Sequence, residues 1–385
     1  MNEKNKTRAV FASRFAAVAA TVGSSVGLGN IWRFPYEAGQ CGGGAFMLCY
    51  VVFVIILGVP LLCAEFCMGR GTRSGVVGAY RKLEKGIPWH SAGYFGILAS
   101  ILILSFYSVV AGWTLEYLVH SVGEALSLVN HRDAHSEFVS LTSGWRPTLW
   151  TVIFSIVNYA VLTGGVKRGI ERMSNILMPL LFLILIAFCI NSFTLSGFKE
   201  GIDFIFRPDF SKLTRGTLLS AMGQAFFSLS LGVGGMMTYA SYFSADTLLI
   251  RTAGITASLS TLVAVLAGVM IFPAVFTYGL SPEAGPTLVF EVLPRVFSSM
   301  SGGVVWSMMF FLLLVIASLT STISISEISI SYLSEETGMG RGKATAVSSG
   351  IALVGSILCS LSYGPLKDWE VCGMNILKLF DYFDS

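Results

Sequence analysis

The sequence predicts an all-α membrane protein: two inverted five-helix repeats, with helices 1 and 6 broken and the second repeat incomplete, so that nine spans are seen. Three observations predict it. The first is charge. Of 385 residues, 25 are Lys or Arg and 22 are Asp or Glu, 12% in all, about half of the roughly 25% that a soluble globular domain carries. The second is how that charge is spread. Nine stretches of at least 18 residues hold no charged side chain: 15–32, 38–64, 86–115, 147–166, 173–198, 216–245, 252–282, 296–326 and 344–366. About 20 mainly apolar residues of helix cross a hydrocarbon core, so each stretch is a candidate span. The third is the placing of glycine within two of them, taken up below. A net charge of +3 leaves no basic face, which excludes a nucleic-acid binder, and the composition excludes a soluble enzyme.

Orientation follows from Lys and Arg, which cytoplasmic loops retain. With the N-terminus inside, the inner segments hold Lys4, Lys6, Arg8 and Arg14; Arg70, Arg73, Arg81, Lys82 and Lys85; Lys167, Arg168 and Arg172; Arg251; and Arg341 and Lys343, fifteen of the 25. A multi-pass protein of the cell membrane with a cytoplasmic N-terminus is expected, with the C-terminus outside after nine spans. The basic start runs into a span that is polar in its middle and lacks a small-residue cleavage site, so no cleavable signal is expected.

Five of the seven cysteines (Cys49, Cys63, Cys67, Cys189 and Cys359) lie inside the apolar runs, and no CxxC pair exists. Cys63 and Cys67 share a helix face, but two thiols without His make a poor metal site, so core packing is their reading. The four histidines lie at span ends or in the loop after span three. Nothing in the sequence sets an oligomeric state.

Two spans are not uniform apolar rods. Span one reads Thr21-Val22-Gly23-Ser24-Ser25-Val26-Gly27-Leu28-Gly29-Asn30 at mid-membrane depth, and span six reads Ser228-Leu229-Ser230-Leu231-Gly232-Val233-Gly234-Gly235. Each glycine weakens a helix by about 1 kcal/mol relative to Ala, so these runs invite unwinding. Freed backbone is tolerated at that depth only where it lines a protein cavity. Close helix packing through small residues is the other reading. The two segments stand five spans apart, which suggests two five-helix repeats, the second inverted. Paired broken helices in corresponding places of two halves point to a midplane binding site.

The motifs then become specific. Gly27-Leu28-Gly29-Asn30-Ile31-Trp32-Arg33-Phe34-Pro35, followed by Gly42-Gly43-Gly44-Ala45-Phe46, resembles the first-helix signature of the neurotransmitter:sodium symporter family. Gln224-Ala225-Phe226-Phe227-Ser228-Leu229-Ser230-Leu231-Gly232 resembles its sixth helix, Pro282-Glu283-Ala284-Gly285-Pro286 its outer loop before span eight, and Ala317-Ser318-Leu319-Thr320-Ser321 its eighth helix. The resemblance covers essentially the whole chain and is closest to the bacterial amino-acid transporters related to the leucine transporter. The midplane rule was drawn from transporters of this kind, so the two observations count once. The resemblance implies that residues 1–385 are one transmembrane transporter domain, with 9–190 as the first repeat and 214–385 as the second. The family has eleven or twelve spans. Leu379-Phe380-Asp381-Tyr382-Phe383-Asp384 looks like the lead-in to span ten, so the second repeat is expected to stop before it.

By resemblance the protein is a sodium-coupled symporter of an amino acid. One sodium would bind the backbone oxygens of Gly23, Val26 and Ala317 with the hydroxyls of Thr320 and Ser321. A second would use the Ser25 carbonyl, the Asn30 side chain, Ser228 and Ser260, completed by the substrate carboxylate. Taken singly, such hydroxyls more often bond back to their own helix. The substrate-binding residues implied are Ser24, Ser25, Gly27, Gly29, Ile103, Tyr107, Phe227, Ser228, Ser230, Val233, Ser321 and Ile325. Tyr107 resembles the tyrosine that bonds the substrate carboxylate. Position 27 is Gly where the amine transporters carry Asp, so the substrate is expected to bring its own carboxylate. The mostly apolar lining points to a neutral hydrophobic or aromatic amino acid.

The gates carry over in the same way. Arg33 and Asp381 resemble the outer charge pair, with Phe227 and Tyr107 as the aromatic lid; Arg8 and Glu335, with Tyr242, resemble the inner gate. Glu65 and Glu327 are intramembrane carboxylates, costly there, and structural anchoring is expected of both. Members that work without chloride have an acidic residue near the first sodium. Here that neighbourhood is Tyr50, Gln224, Ser228, Ser260 and Ala264, with no acid, so chloride is a possible co-ion beside one or two sodium ions. Ala264 stands where chloride-dependent relatives have Ser. The missing end of the second repeat motivates an alternative, a non-transporting amino-acid-binding membrane sensor or an inactive fragment of such a symporter. No span holds a nucleophile–base pair or a metal cluster for a membrane enzyme.

Overall fold

The computed structural model describes residues 9–129, 134–282, 288–367, 369–371 and 373–384, leaving aside the side chains of 288, 371 and 381–384. Nine helical units fall on the nine uncharged stretches. Span one is Arg14–Ser25 and Phe34–Gln40, joined through a π-helical stretch Gly29–Arg33; span two is Gly44–Phe53 and Val59–Thr72, joined through the π-helical Val54–Gly58. Spans three and four are His90–Ala125 and Arg146–Thr163, and span five runs through a π-helical Val166–Glu171 into Arg172–Ser192. Span six is Arg215–Ser228 and Gly235–Ala240; spans seven, eight and nine are Leu249–Thr277, Gly303–Glu336 and Arg341–Leu361. Spans two, three, five, seven, eight and nine are each long and apolar enough to cross a membrane, and span one joins them if its two halves, bent by 49°, count as one. Span four, at 18 residues, and the broken span six fall short of that test.

Three helices form the centre. In spans three and eight 72% of the apolar window is buried, and in span seven 61%, against 33–39% in spans two, five and nine. The outer three therefore show the surface that lipid would cover. Spans three and eight pack along their length, and the crossing strands of sequence between spans add short helices: Val76–Leu83, Ala134–Leu141, Phe198–Phe206 and Leu293–Ser298. Beyond span nine come a two-residue hairpin, Glu370–Val371 with Met374–Asn375, and a helix Ile376–Asp384.

The local sequence explains both breaks. Span one starts at Ser13, whose hydroxyl accepts the Ala16 amide at 3.0 Å, a side-chain N-cap. It ends where Val26 turns extended, with Gly27 following, and helix resumes at Gly29 as the π-helical stretch that runs into Phe34–Gln40. Span six ends at Ser228. Ser230, Gly232 and Gly234 then take positive φ (52°, 88° and 83°) before helix resumes at Gly235. Glycine enters that region freely; Ser230 is there at a cost.

Candidate functional site

A break in a helix frees backbone donors and acceptors, and away from water each needs a partner. Tracing those partners outlines the site. The Leu28 amide donates to the Tyr107 hydroxyl at 2.9 Å. The Gly29 carbonyl accepts from Gln224 Nε2 at 2.9 Å, and the Ser24 carbonyl from Ser230 Oγ at 2.9 Å. Ser260 Oγ reaches the Ser228 carbonyl at 2.9 Å and the Ser25 carbonyl at 3.3 Å. Glu65 accepts the Gly232 and Met237 amides at 2.9 and 3.1 Å, so this carboxylate spans the break in span six. The anchoring expected of it is what it does.

Between the breaks lies a cavity of about 360 Å³. Of the twelve predicted substrate-binding residues, eleven line it: Ser24, Ser25, Gly27 and Gly29 from span one, Ile103 and Tyr107 from span three, Phe227, Ser230 and Val233 from span six, and Ser321 and Ile325 from span eight. Ser228 does not. It is buried behind the wall, its hydroxyl taking Gln224 Nε2 at 3.0 Å, because one helical step of 100° separates its side chain from that of Phe227. Met222, Gly223, Phe226, Leu231, Gly235, Ser324 and Ile328 also line the cavity and were missed. On span eight the signal was available, since 324, 325 and 328 share a face with 321 at i+3, i+4 and i+7.

The glycines of span one are close approaches rather than hinges alone. A Cβ on Gly27 would overlap Ser321 Oγ and come 3.0 Å from the Tyr107 hydroxyl, and a Cβ on Gly29 would overlap the Phe227 ring. A side chain at position 27 would thus have to displace the Ser321 hydroxyl, in addition to the charge argument made from sequence.

Of the predicted metal ligands, Ser25, Asn30, Ser228 and Ser260 come together. Asn30, 1% exposed, donates Nδ2 to the Ser260 carbonyl and hydroxyl at 2.8 and 2.9 Å. Gly23, Val26, Ala317, Thr320 and Ser321 are all buried. Thr320 bonds back to the Ile316 and Ala317 carbonyls at 3.1 Å each, and a Cβ on Gly23 would lie 3.3 Å from Ser174 Oγ of span five. Near the second group, Gln224 Oε1 is buried with no hydrogen-bond partner among the described residues, and the buried Tyr50 hydroxyl lies beside those of Ser228 and Thr261.

The outer rim holds Arg33, its guanidinium 4.7 Å over the Phe227 ring and 3.8 Å from Glu37. The side chain of its expected partner, Asp381, lies outside the described residues, as does Arg8 of the expected inner gate. Glu335 accepts the Gly75 amide at 2.8 Å and the Ser331 hydroxyl. Tyr242 donates to Glu327 at 2.5 Å. Glu327, with no exposed surface, also takes both Arg341 nitrogens at 2.8 and 2.7 Å. Arg341 is the partner that sequence reasoning missed, fourteen positions away on the next helix. Nearby, the Ser244 hydroxyl and Arg14 hold the Asp246 carboxyl below the usual carboxylate range, and the Phe11 amide donates to the Tyr242 carbonyl at 3.0 Å.

The residue pattern that defines the "SNF: Sodium:neurotransmitter symporter family" matches residues 8–138 and 142–385. The chain belongs to that family. The symporter is 41% identical over 99% of its length to an "Uncharacterized sodium-dependent transporter" of Haemophilus influenzae, covering 86% of that protein, and 39% identical over 97% to the "Uncharacterized sodium-dependent transporter YhdH" of Bacillus subtilis, covering 83%. Among solved structures it resembles MhsT, crystallised in complex with L-phenylalanine, with a TM-score of 0.92 and 43% identity over 98% of this chain and 86% of that one. It is a multi-pass membrane protein and a sodium-dependent transporter, not an enzyme.

Proposed function

We propose that this symporter couples sodium to the uptake of a neutral hydrophobic or aromatic amino acid by alternating access. The observation that carries the reading is the cavity at the two breaks: apart from Arg33 at its outer rim and the Asn30 amide, its lining is neutral oxygens and apolar side chains, with no acid among them. A volume of about 360 Å³ suits one amino acid, near the lower end of small-molecule sites. The carboxylate would meet Tyr107 and the freed end of span one, whose helix dipole favours an anion. Gly27 leaves the ammonium no fixed acid, so the ligand needs its own negative group. L-Phenylalanine in MhsT supports the same substrate class.

Two sodium ions fit the donor chemistry, since a hard cation takes oxygens. The first would sit among the carbonyls of Gly23, Val26 and Ala317 with Thr320 and Ser321, the second among Ser25, Asn30, Ser228 and Ser260 with the substrate carboxylate. A half-turn of the Asn30 amide points its oxygen at that group. Because ion and substrate complete each other's site, each raises the other's affinity. A chloride beside Tyr50 and Gln224 would balance the charge, and the buried Tyr50 and Thr261 hydroxyls are suitable donors there. The positive-inside bias supports a cytoplasmic N-terminus, and the placing of the breaks supports repeats over 9–190 and 214–385. A 100 mV potential gives about 2.3 kcal/mol per charge and a tenfold gradient about 1.4, so one sodium sustains roughly 500-fold accumulation.

The test is an uptake screen of the twenty amino acids in proteoliposomes with an inward sodium gradient. Accumulation of bulky apolar amino acids that collapses in potassium is expected. Sodium-dependent binding with no uptake of any of them would refute transport.

A further inference from the structure

The cavity extends past the part that an aliphatic side chain would fill. Its lining on span eight runs from Ser321 through Ser324 and Ile325 to Ile328, about 10 Å of helix rise. The upper end, at Ser321, is where Gly27 and Tyr107 meet. The lower end is closed by Gly235 at the restart of span six, where an added Cβ would lie 3.5 Å from Ile328 Cδ1. The side walls there are Ile103, Val233 and Ile325, all aliphatic. That length, bounded by apolar side chains, is more than a leucine side chain spans and suits a longer, ring-bearing one.

One polar atom on span eight lies within that lower part, and its bonding state restricts what it can recognise. Ser324 is 3% exposed. Its hydroxyl donates to the Thr320 carbonyl at 2.9 Å and accepts from the Tyr239 hydroxyl at 2.9 Å. A hydroxyl has one proton and two lone pairs. The proton and one lone pair are used, so what Ser324 offers the cavity is a single acceptor site.

We infer that the symporter prefers aromatic amino acids whose ring carries a hydrogen-bond donor, an indole N–H or a phenol O–H, and that Ser324 Oγ is the atom that reads it. The inference rests on the amino-acid reading of this same cavity and names the class of substrate within it. Phenylalanine and leucine fill the slot but leave the acceptor unmet.

The test measures sodium-dependent binding to the purified full chain in detergent, by competition among L-tryptophan, 1-methyl-L-tryptophan, L-tyrosine and O-methyl-L-tyrosine. The unmodified protein is expected to bind each parent amino acid about fivefold more tightly than its methylated form, the range of one neutral hydrogen bond. Replacing Ser324 alone would strand the buried Tyr239 hydroxyl, so the variant pair is Tyr239→Phe and Tyr239→Phe with Ser324→Ala. The first keeps the preference and the second abolishes it, binding parent and methylated forms alike. Equal affinities in the unmodified protein, or a preference that survives Ser324→Ala, would overturn the assignment while leaving sodium-dependent amino-acid binding intact. Absence of sodium-dependent binding for all four would overturn this inference and the proposed function together.

Discussion

The middle of the molecule and the end nearest its N-terminus are held together by different chemistry. At the breaks, the freed backbone is tied mostly by neutral side chains: Tyr107, Gln224, Ser230 and Ser260. At the N-terminal end the ties are ionic. Glu327 grips Arg341 and Tyr242, Glu335 holds the Gly75 amide, and Arg81 pairs with Glu336. Glu65 is the exception in the middle, a carboxylate at the break of span six committed to the Gly232 and Met237 amides. The difference follows from what each region has to admit. A fixed charge in the middle would pre-empt the charge that an ion and a zwitterion bring, whereas neutral dipoles leave the balance for the ligands to complete. At the end the ligands pass rather than bind, and a bidentate pair gives a defined closed geometry.

The largest expected effect separates the two regions by stability. Arg341→Met leaves Glu327 buried without its counter-charge, a loss on the order of 3–5 kcal/mol, read as a lower thermal midpoint in detergent; adding Glu327→Gln should recover most of it. An unchanged midpoint in the single variant would erase the distinction drawn here. Gly27→Ala should weaken amino-acid binding by roughly ten- to a hundredfold, because overpacking a closed site costs about 1–3 kcal/mol. Gly27→Asp should be worse still, through repulsion of the substrate carboxylate; if Asp is no worse than Ala, the argument that the ligand supplies the negative group fails. Asn30→Ala should raise the sodium midpoint about tenfold, because the second sodium loses a side-chain oxygen ligand. The smallest effect is that of the anion. Replacing chloride by gluconate should weaken sodium-driven binding by less than about tenfold, through uncompensated buried charge, and equal binding in both salts would remove chloride from the account.

Counting uncharged runs located every span but set several ends too early, always for the same reason. Span one was stopped by Arg33, span two by Glu65, span three by Glu116 and span eight by Glu327, yet the helices continue to Gln40, Thr72, Ala125 and Glu336. Each of these charges has a partner from elsewhere in the fold: the Phe227 ring for Arg33, the Gly232 and Met237 amides for Glu65, Arg146 for Glu116 and Arg341 for Glu327. A one-dimensional charge count cannot see a partner brought in by folding. Within the site, residues on the unwound stretches were legible because glycine and serine stand where a span should be apolar. Ser324 and Ile328 were legible only through their helical spacing from Ser321, because on an intact helix the wall of a cavity otherwise looks like any other buried face. Ser228 failed in the opposite direction, being next to Phe227 in sequence and turned away from it in space.

The central claim is that ion and amino acid complete one site. It is tested most directly by measuring the tryptophan dissociation constant at two sodium concentrations, and the sodium midpoint with and without tryptophan, on the same purified protein. Mutual completion predicts that sodium tightens tryptophan binding and that tryptophan lowers the sodium midpoint by the same factor, as linkage requires. Tryptophan affinity that is the same in sodium and in choline would contradict it.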